Sequence, residues 1–208
     1  MKKLLLIPLI AVLAACSNGR PTYDTSSLNN QQVENTVKIF AGVPILLGME
    51  GSAARLNEEW IVTAAHNMPI LIATGKWDVR VHPTCDIAVY RSKGSNTVPL
   101  GTAFIGDTVT AVGYPMGMPL AVNQGTIVGN VNMSDYPECV SVATTAVIAQ
   151  GMSGGGVYND KGELIGVVHG YATSTMHWDN GASLENGGVY VHLTTVKEWL
   201  LEVTGVQL

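Results

Sequence analysis

The stretch Gly151–Tyr158, GMSGGGVY, places one serine among four glycines. Glycines allow a tight turn in which neighbouring backbone N–H groups converge. A flexible linker is excluded because the segments on both sides, TTAVIAQ and ELIGVVHG, have the apolar pattern of strands. A phosphate-binding P-loop would carry a lysine next to its serine or threonine, and none is present here. The stretch therefore favours a serine nucleophile, which needs a base and a group that orients the base.

Two further segments contain candidates for these partners. EWIVTAAH is an apolar strand that ends in small residues and then His66. CDIAVYR places Asp86 at the head of a strand with a buried pattern, where an unpaired carboxylate would be costly. The sequence therefore offers a histidine, an aspartate and a serine in that chain order.

Length and composition indicate a folded domain of many short strands. The 208 residues are 47% hydrophobic and only 13% charged, and short apolar runs alternate with turn residues, which predicts barrels or a sandwich. One helix is expected near the end, where Thr195 and Glu198 have capping-box spacing and VKEWLLEV has a single apolar face. The net charge of −5 argues against nucleic acid as a partner and against electrostatic docking on anionic lipid.

The segments IVTAAH, CDIAVYR and GMSGGGVY, in this order, resemble the three signatures of chymotrypsin-fold serine peptidases. GDTVTAVGYPMGMP resembles the opening of the second barrel in bacterial HtrA-like peptidases, and NGGVYVHLTTVKEWL resembles the last strand and closing helix of trypsin-like enzymes. The resemblance implies an all-β fold of two six-stranded antiparallel β-barrels with a short C-terminal α-helix. It implies a serine endopeptidase whose substrates are proteins or peptides.

Carried over to this chain, the resemblance makes Ser153 the nucleophile, His66 the general base and then acid, and Asp86 the group that orients His66. The backbone N–H groups of Gly151 and Ser153 would form the oxyanion hole. An inactive relative that binds peptides without cutting them is the alternative function.

The chain departs from the family pattern in two places. His66 and Asp86 are 20 residues apart, shorter than is usual, so Asp107 and Asp78 remain alternatives for the acid. Met152 stands where many secreted trypsin-like enzymes carry an aspartate that pairs with a new N-terminus, and no IVGG-like activation site is present. We therefore expect activity without proteolytic activation, and no PDZ domain after the peptidase.

The resemblance also suggests which residues bind the substrate. Val147 would form the floor of the specificity pocket, Gly170 and Gly188 its open walls, and Val168 and His169 part of the strand beside the substrate. A neutral floor argues against cleavage after Lys or Arg and favours an apolar or aromatic P1 residue. His169 allows two interpretations: a glutamate preference, as in the glutamyl endopeptidases, or a strand histidine bonded to backbone.

The N-terminus reads as an export signal. Lys2 and Lys3 precede an apolar run that is too short for a membrane span and ends in LAAC, which resembles a bacterial lipobox. The resemblance implies lipidation of Cys16 and, because Ser17 follows, anchoring in the outer membrane facing the periplasm. The alternative is an ordinary secretory signal in which Cys16 is incidental.

These patterns divide the chain into four parts. Residues 1–15 are predicted to be the lipoprotein signal peptide and residues 16–36 a polar tether. Residues 37–100 would form the first barrel, and residues 101–208 the second barrel with the closing helix.

No cofactor or metal is expected. A zinc site at His82 and Cys85 would need further ligands close by, and none is evident. His177 and His192 have the sequence context of a surface loop and of the chain's end. Cys85 and Cys139 could pair in an oxidising compartment or remain as free buried thiols.

Overall fold

A computed structural model describes residues 17–43 and 47–208. The expected signal peptide and Cys16 lie outside the described residues. Strands dominate the described residues, which also form three short α-helices: α1 is Asn30–Asn35, α2 is Met68–Ala73 and α3 is Lys197–Thr204. No helix in the described ranges is long and apolar enough to cross a membrane.

The first half of the chain forms a five-stranded antiparallel sheet. Ile39, Ile61 and Leu71 form its buried core with neighbouring apolar residues. The strands pair in the order β1-β2-β3-β5-β4 and are bounded as follows: β1 Thr36–Val43, β2 Leu47–Arg55, β3 Trp60–Thr63, β4 Val79–Val81 and β5 Ala88–Arg91.

This sheet differs from the six-stranded barrel that the resemblance implied for residues 37–100. Within the described ranges its two outer strands, β1 and β4, each pair with one neighbour, so the sheet is not closed. The short interval between His66 and Asp86 explains part of the difference. It holds only helix α2 and the three-residue strand β4.

The second half forms a closed six-stranded barrel, as predicted. Val157, Ile165 and Tyr190 are fully buried inside it, and β-branched residues suit its pleated strands. The order around the barrel is β10-β13-β8-β7-β6-β9, and the strands are β6 Thr108–Gly113, β7 Ala121–Met133, β8 Tyr136–Thr144, β9 Gly156–Tyr158, β10 Leu164–Tyr171 and β13 Gly188–His192. A two-stranded hairpin, β11 Met176–His177 and β12 Ser183–Leu184, projects between β10 and β13.

The predicted closing helix is confirmed, but its predicted capping box is wrong. Val196 and Leu200 are buried, and Trp199 packs against the same core cluster. A 3₁₀ turn, Leu193–Val196, precedes α3, and no side chain caps the helix. The Thr195 hydroxyl instead donates to the Val140 carbonyl at 3.2 Å, because the turn brings it against β8.

Residues 17–36 are packed on the domain, whereas their polar sequence predicted a tether. Helix α1 begins with a capping box between Asn29 and Gln32. With six residues the helix is too short to show a periodic apolar face in the sequence. Asn35 is fully buried next to the hydroxyl of Tyr158. The segment is held largely by polar groups, which a search for apolar periodicity does not detect.

A disulfide joins the two halves of the molecule. Cys85 lies just before β5 and Cys139 lies in β8, with their Cα atoms 4.9 Å apart. This resolves the open question about the cysteines and removes Cys85 as a possible zinc ligand. Because the bond closes a loop with a sequence separation of 54 residues, chain entropy predicts a stabilisation of about 4 kcal/mol.

Candidate active site

The three residues of the predicted triad come from different elements. His66 lies in a 3₁₀ turn, Ala65–Asn67, directly after β3. Asp86 precedes β5, and Ser153 lies in the glycine-rich turn before β9. The first two thus belong to the open sheet and the third to the barrel.

Asp86 holds His66 by two hydrogen bonds. The backbone N–H of His66 donates to Oδ1 of Asp86 at 2.9 Å, and its ring Nδ1–H donates to Oδ2 at 2.7 Å. A carboxylate only accepts hydrogen bonds, so Nδ1 carries a proton, and Nε2 is the nitrogen left to act as a base in the neutral ring. The His66 side chain is 42% exposed while that of Asp86 is 1% exposed, so the histidine faces the solvent from a buried support.

His169 is a second histidine on the same carboxylate. Its Nδ1 lies 2.6 Å from Oδ2 of Asp86, and its ring packs edge-on to the ring of His66. The pairing of β10 with β13 shifts register between Val168 and Gly170, and such a bulge can redirect a side chain. The hydrogen bond to Asp86 corrects the interpretation of His169 as a strand histidine whose ring is bonded to backbone. The glutamate preference stays a prediction, because this bond occupies only Nδ1 of the ring.

These contacts keep Asp86 charged. Burial on its own would raise the pKa of the carboxyl, but the hydrogen bonds from His169 and His66 outweigh it and hold the pKa well below its usual range. Tyr136 also faces this group, with its ring edge-on to His169. Burial, together with the charge of Asp86, raises the pKa of Tyr136 to about 12, so the phenol stays neutral.

Ser153 lies at the crevice, and its hydroxyl donates to the backbone carbonyl of His169 at 3.0 Å. No hydrogen bond joins it to His66 within residues 17–43 and 47–208. Such bonds are often loose without substrate and form when one is bound. The N–H groups of Gly151 and Ser153 donate to no acceptor in this described part of the chain. Gly151 has φ of +96°, a conformation that only glycine adopts without strain.

Two residues of the open sheet that the sequence did not single out clamp the nucleophile turn. The Ser52 hydroxyl donates to the carbonyl of Gly151 at 2.8 Å, and the Ser52 N–H donates to the carbonyl of Ser153 at 2.9 Å. Asn67 Nδ2 donates to the same Ser153 carbonyl at 2.9 Å. Asn67 directly follows the candidate base, which is a weak signal, and nothing in the sequence around Ser52 marks it.

Gly154 and Gly155 are required by close packing. A Cβ at Gly154 would collide with the Ser52 carbonyl and the Thr63 hydroxyl, and one at Gly155 would collide with the Val112 carbonyl. The glycines of the stretch therefore let the nucleophile turn lie against both halves of the molecule.

The residues predicted to bind the substrate differ in their burial and in the open space around them. Gly170 faces open space on its Cβ side, whereas a Cβ at Gly188 would lie 2.6 Å from the Ala146 carbonyl. Val147 is partly buried, and its Cγ2 would lie 2.8 Å from a Cβ at Gly19. Val168 is fully buried in the barrel core. Open space therefore lies on the Cβ side of Gly170 but not of Gly188, and the specificity pocket itself stays a prediction.

The alternative acids are elsewhere. Asp78 pairs with Arg80 at 2.8 Å on the surface, and Asp107 accepts from the N–H of Phe104 in an exposed turn. His66, Asp86 and His169 could together hold a metal ion, because their ligand atoms lie within 4.8 Å of one another. Both imidazoles already satisfy the carboxylate by hydrogen bonds, so the cluster is stable without a cation.

Sequence comparison relates the chain to peptidases. Residues 73–167 match the family model of the trypsin-like peptidase domain, a range that contains Asp86 and Ser153. The chain is 31% identical over 130 residues to Protease Do-like 2, chloroplastic, of Arabidopsis thaliana, covering 57% of this chain and 20% of that protein. It is 32% identical over 122 residues to the serine endoprotease DegS of Haemophilus influenzae, covering 53% and 34%. The chain thus spans about a third or less of the length of these curated relatives.

Solved structures show the same fold. The active form of the Rv3671c protease from M. tuberculosis superposes with a TM-score of 0.62 at 19% identity, over 88% of both chains. The HtrA-type protease AlgW with a bound tripeptide gives 0.57 at 20% identity, over 85% of this chain and 64% of that one. The chain therefore has a chymotrypsin-like fold.

The charge of Asp86 makes the stability of the protein depend on acid pH. Because its folded pKa is depressed, its contribution is fully present above the unfolded value of about 4 and is lost as the pH falls towards the folded pKa. Asp86→Asn should lower the free energy of unfolding at pH 7 by about 1–3 kcal/mol, because the two histidine donors lose a charged acceptor. Its stability should also fall less steeply than that of wild type between pH 4 and pH 2.

Urea unfolding monitored across this pH range measures both effects. The exposed Asp78→Asn variant is the matched control and should follow the wild-type curve. Parallel acid curves for wild type and Asp86→Asn would contradict this account of the carboxylate.

Proposed function

We propose that this protein is a serine endopeptidase that hydrolyses peptide bonds through an acyl-enzyme. The observation that carries the proposal is the Nδ1–H hydrogen bond from His66 to buried Asp86, beside a serine in a clamped glycine turn. The fold and the related peptidases support it. The substrates would be proteins or peptides.

The proposed reaction begins when the Ser153 hydroxyl turns from the His169 carbonyl towards Nε2 of His66. His66 takes the hydroxyl proton as Oγ attacks the peptide carbonyl, and the N–H groups of Gly151 and Ser153 stabilise the oxygen that becomes negative. Collapse of this intermediate expels the amine, which takes the proton from His66. Water then attacks the acyl ester in the same way, and the proton returns to Ser153.

Activation by proteolysis is not needed in this proposal. Met152 fills the position next to Ser153 and is fully buried. Its N–H donates to the Ala149 carbonyl at 3.0 Å, so the turn before the nucleophile is closed by its own backbone. Met152 is therefore an apolar residue, already packed, at the position where many secreted trypsin-like enzymes carry an aspartate that pairs with a new N-terminus.

An apolar or aromatic P1 residue is the proposed preference. The residues around the predicted pocket, Val147, Gly170 and Gly188, carry no charge, so a lysine or arginine would find no partner among them.

An inactive peptide-binding module with the same fold is the alternative. The one observation in its favour is that the Ser153 hydroxyl donates to the His169 carbonyl instead of to His66. The polarised His66 and the clamped turn favour the enzyme.

A fluorophosphonate probe should label wild-type protein at Ser153, because the reagent requires an activated serine. Ser153→Ala should not be labelled. His66→Ala should react with the probe, and hydrolyse peptides, at least about 1,000-fold more slowly than wild type. His177→Ala, an exposed histidine, is the matched control. Absence of labelling in correctly folded wild-type protein would leave the binding module as the better account.

A peptide-library cleavage profile tests the proposed P1 preference. We expect cleavage after apolar and aromatic residues to exceed cleavage after Lys or Arg by about 10-fold or more, since a buried charge without a partner is costly. Predominant cleavage after a basic residue would show that a carboxylate reaches the pocket.

Export and lipid anchoring at Cys16 are the proposed localisation, with the outer membrane facing the periplasm as the site. They rest on the lipobox-like LAAC. Cells given an alkyne fatty acid should label the wild-type protein, and Cys16→Ser should lose the label and leave the membrane fraction, because two or more acyl chains are needed for stable anchoring. Cys16→Ser that stays lipid-labelled would contradict this assignment.

A further inference from the structure

The N-terminal segment, residues 17–22, lies against the loop that precedes the nucleophile. We call residues 145–152 the oxyanion loop, because it carries the free N–H of Gly151. We propose that Asn18 and Asn123 are positioning residues that hold this loop in its competent shape. The proposal rests on the proposed function, since it takes the free N–H groups as the oxyanion hole.

Asn18 makes three hydrogen bonds to the oxyanion loop. Its Oδ1 accepts from the N–H of Ile148 at 2.6 Å, and its own N–H donates to the Ile148 carbonyl at 3.1 Å. Its Nδ2 makes a weaker bond to the Ala146 carbonyl at 3.4 Å. Ser17 forms an antiparallel bridge with Ala149. The segment thus supplies a strand-like partner for a loop edge that would otherwise face solvent.

Gly19 makes this close approach possible. A Cβ at this position would lie 2.8 Å from Cγ2 of Val147, so a larger residue would force the Val147 side chain or the segment to shift. This contact leaves no periodic apolar pattern in the sequence, which is why the sequence predicts a tether here.

A second link runs through Asn123 to the residue beside the nucleophile. Thr22 donates its N–H to Oδ1 of Asn123 at 2.7 Å and accepts from the N–H of Val122 at 2.8 Å. Asn123 is 4% exposed, and its Nδ2 donates to Sδ of Met152 at 3.8 Å. The N–H of Ala149 donates to the same sulfur at 3.4 Å. The segment is therefore connected to both ends of the turn that orients Gly151.

Because Met152 is apolar, it cannot pair with a new N-terminus, and the oxyanion loop must be supported by other contacts. A loop that carries an oxyanion hole needs fixed donors, because misplaced N–H groups lose transition-state stabilisation. In this chain an amide network from residues 17–22 provides that support without a new N-terminus. The two asparagines act through the loop and do not contact the reacting atoms.

Asn18→Ala in the full chain should lower kcat for a peptide substrate by about 10- to 100-fold, with a smaller change in KM, because the loss falls on the transition state. Asn18→Asp keeps the acceptor for Ile148 and should retain kcat within about 3-fold. Asn180→Ala, the same change in an exposed loop, is the control and should match wild type. A purely structural role would lower the melting temperature of Asn18→Ala and leave kcat per folded molecule unchanged.

Amide hydrogen exchange of residues 145–152 separates this proposal from the proposed function. Asn18→Ala should speed exchange of the Ile148 and Met152 amides by about 10-fold or more, and Asn180→Ala should not. A wild-type protein that has no peptidase activity but shows this exchange difference would refute the proposed peptidase function and not the role of Asn18 in holding the loop. An active wild type whose kcat and loop exchange are unchanged by Asn18→Ala would overturn the inference.

Discussion

A buried carboxylate joins the two halves of the molecule. Asp86 belongs to the open sheet, yet it accepts hydrogen bonds from His66 of that sheet and from His169 of the barrel. A charge with 1% exposure is tolerable only when such donors surround it. One buried charge therefore links the two halves of the molecule, and the disulfide from the neighbouring Cys85 also joins them.

This constraint also determines what His66 can do. Two imidazoles donate hydrogen bonds to Oδ2 of Asp86, so the one carboxylate orients both rings. His66 is oriented and its Nε2 is free, while His169 stays largely buried and carries the carbonyl that holds the Ser153 hydroxyl. The second histidine is thus part of the support of the site.

Much of the site could be predicted from the sequence, because its chemistry uses a few residue types in a fixed order. His66 follows one strand-like segment, Asp86 begins another, and Ser153 lies among glycines. The role of His169 could not be predicted, since it depends on a bulge in β10 that redirects its side chain. Ser52 was missed for a similar reason: it reaches the nucleophile turn across the interface between the halves.

The sequence by itself predicted the all-β class and the closing helix, because apolar alternation and helical spacing are local properties. The closed second barrel and the candidate residues His66, Asp86 and Ser153 were predicted from the resemblance to a known family. Only the tertiary structure decided that the first sheet stays open, that Cys85 and Cys139 pair, and that residues 17–36 pack on the domain. These features depend on distances between segments far apart in the chain. The contact between Asn18 and Ile148 shows the reason most clearly, since polar groups pair there without leaving a periodic pattern in either segment.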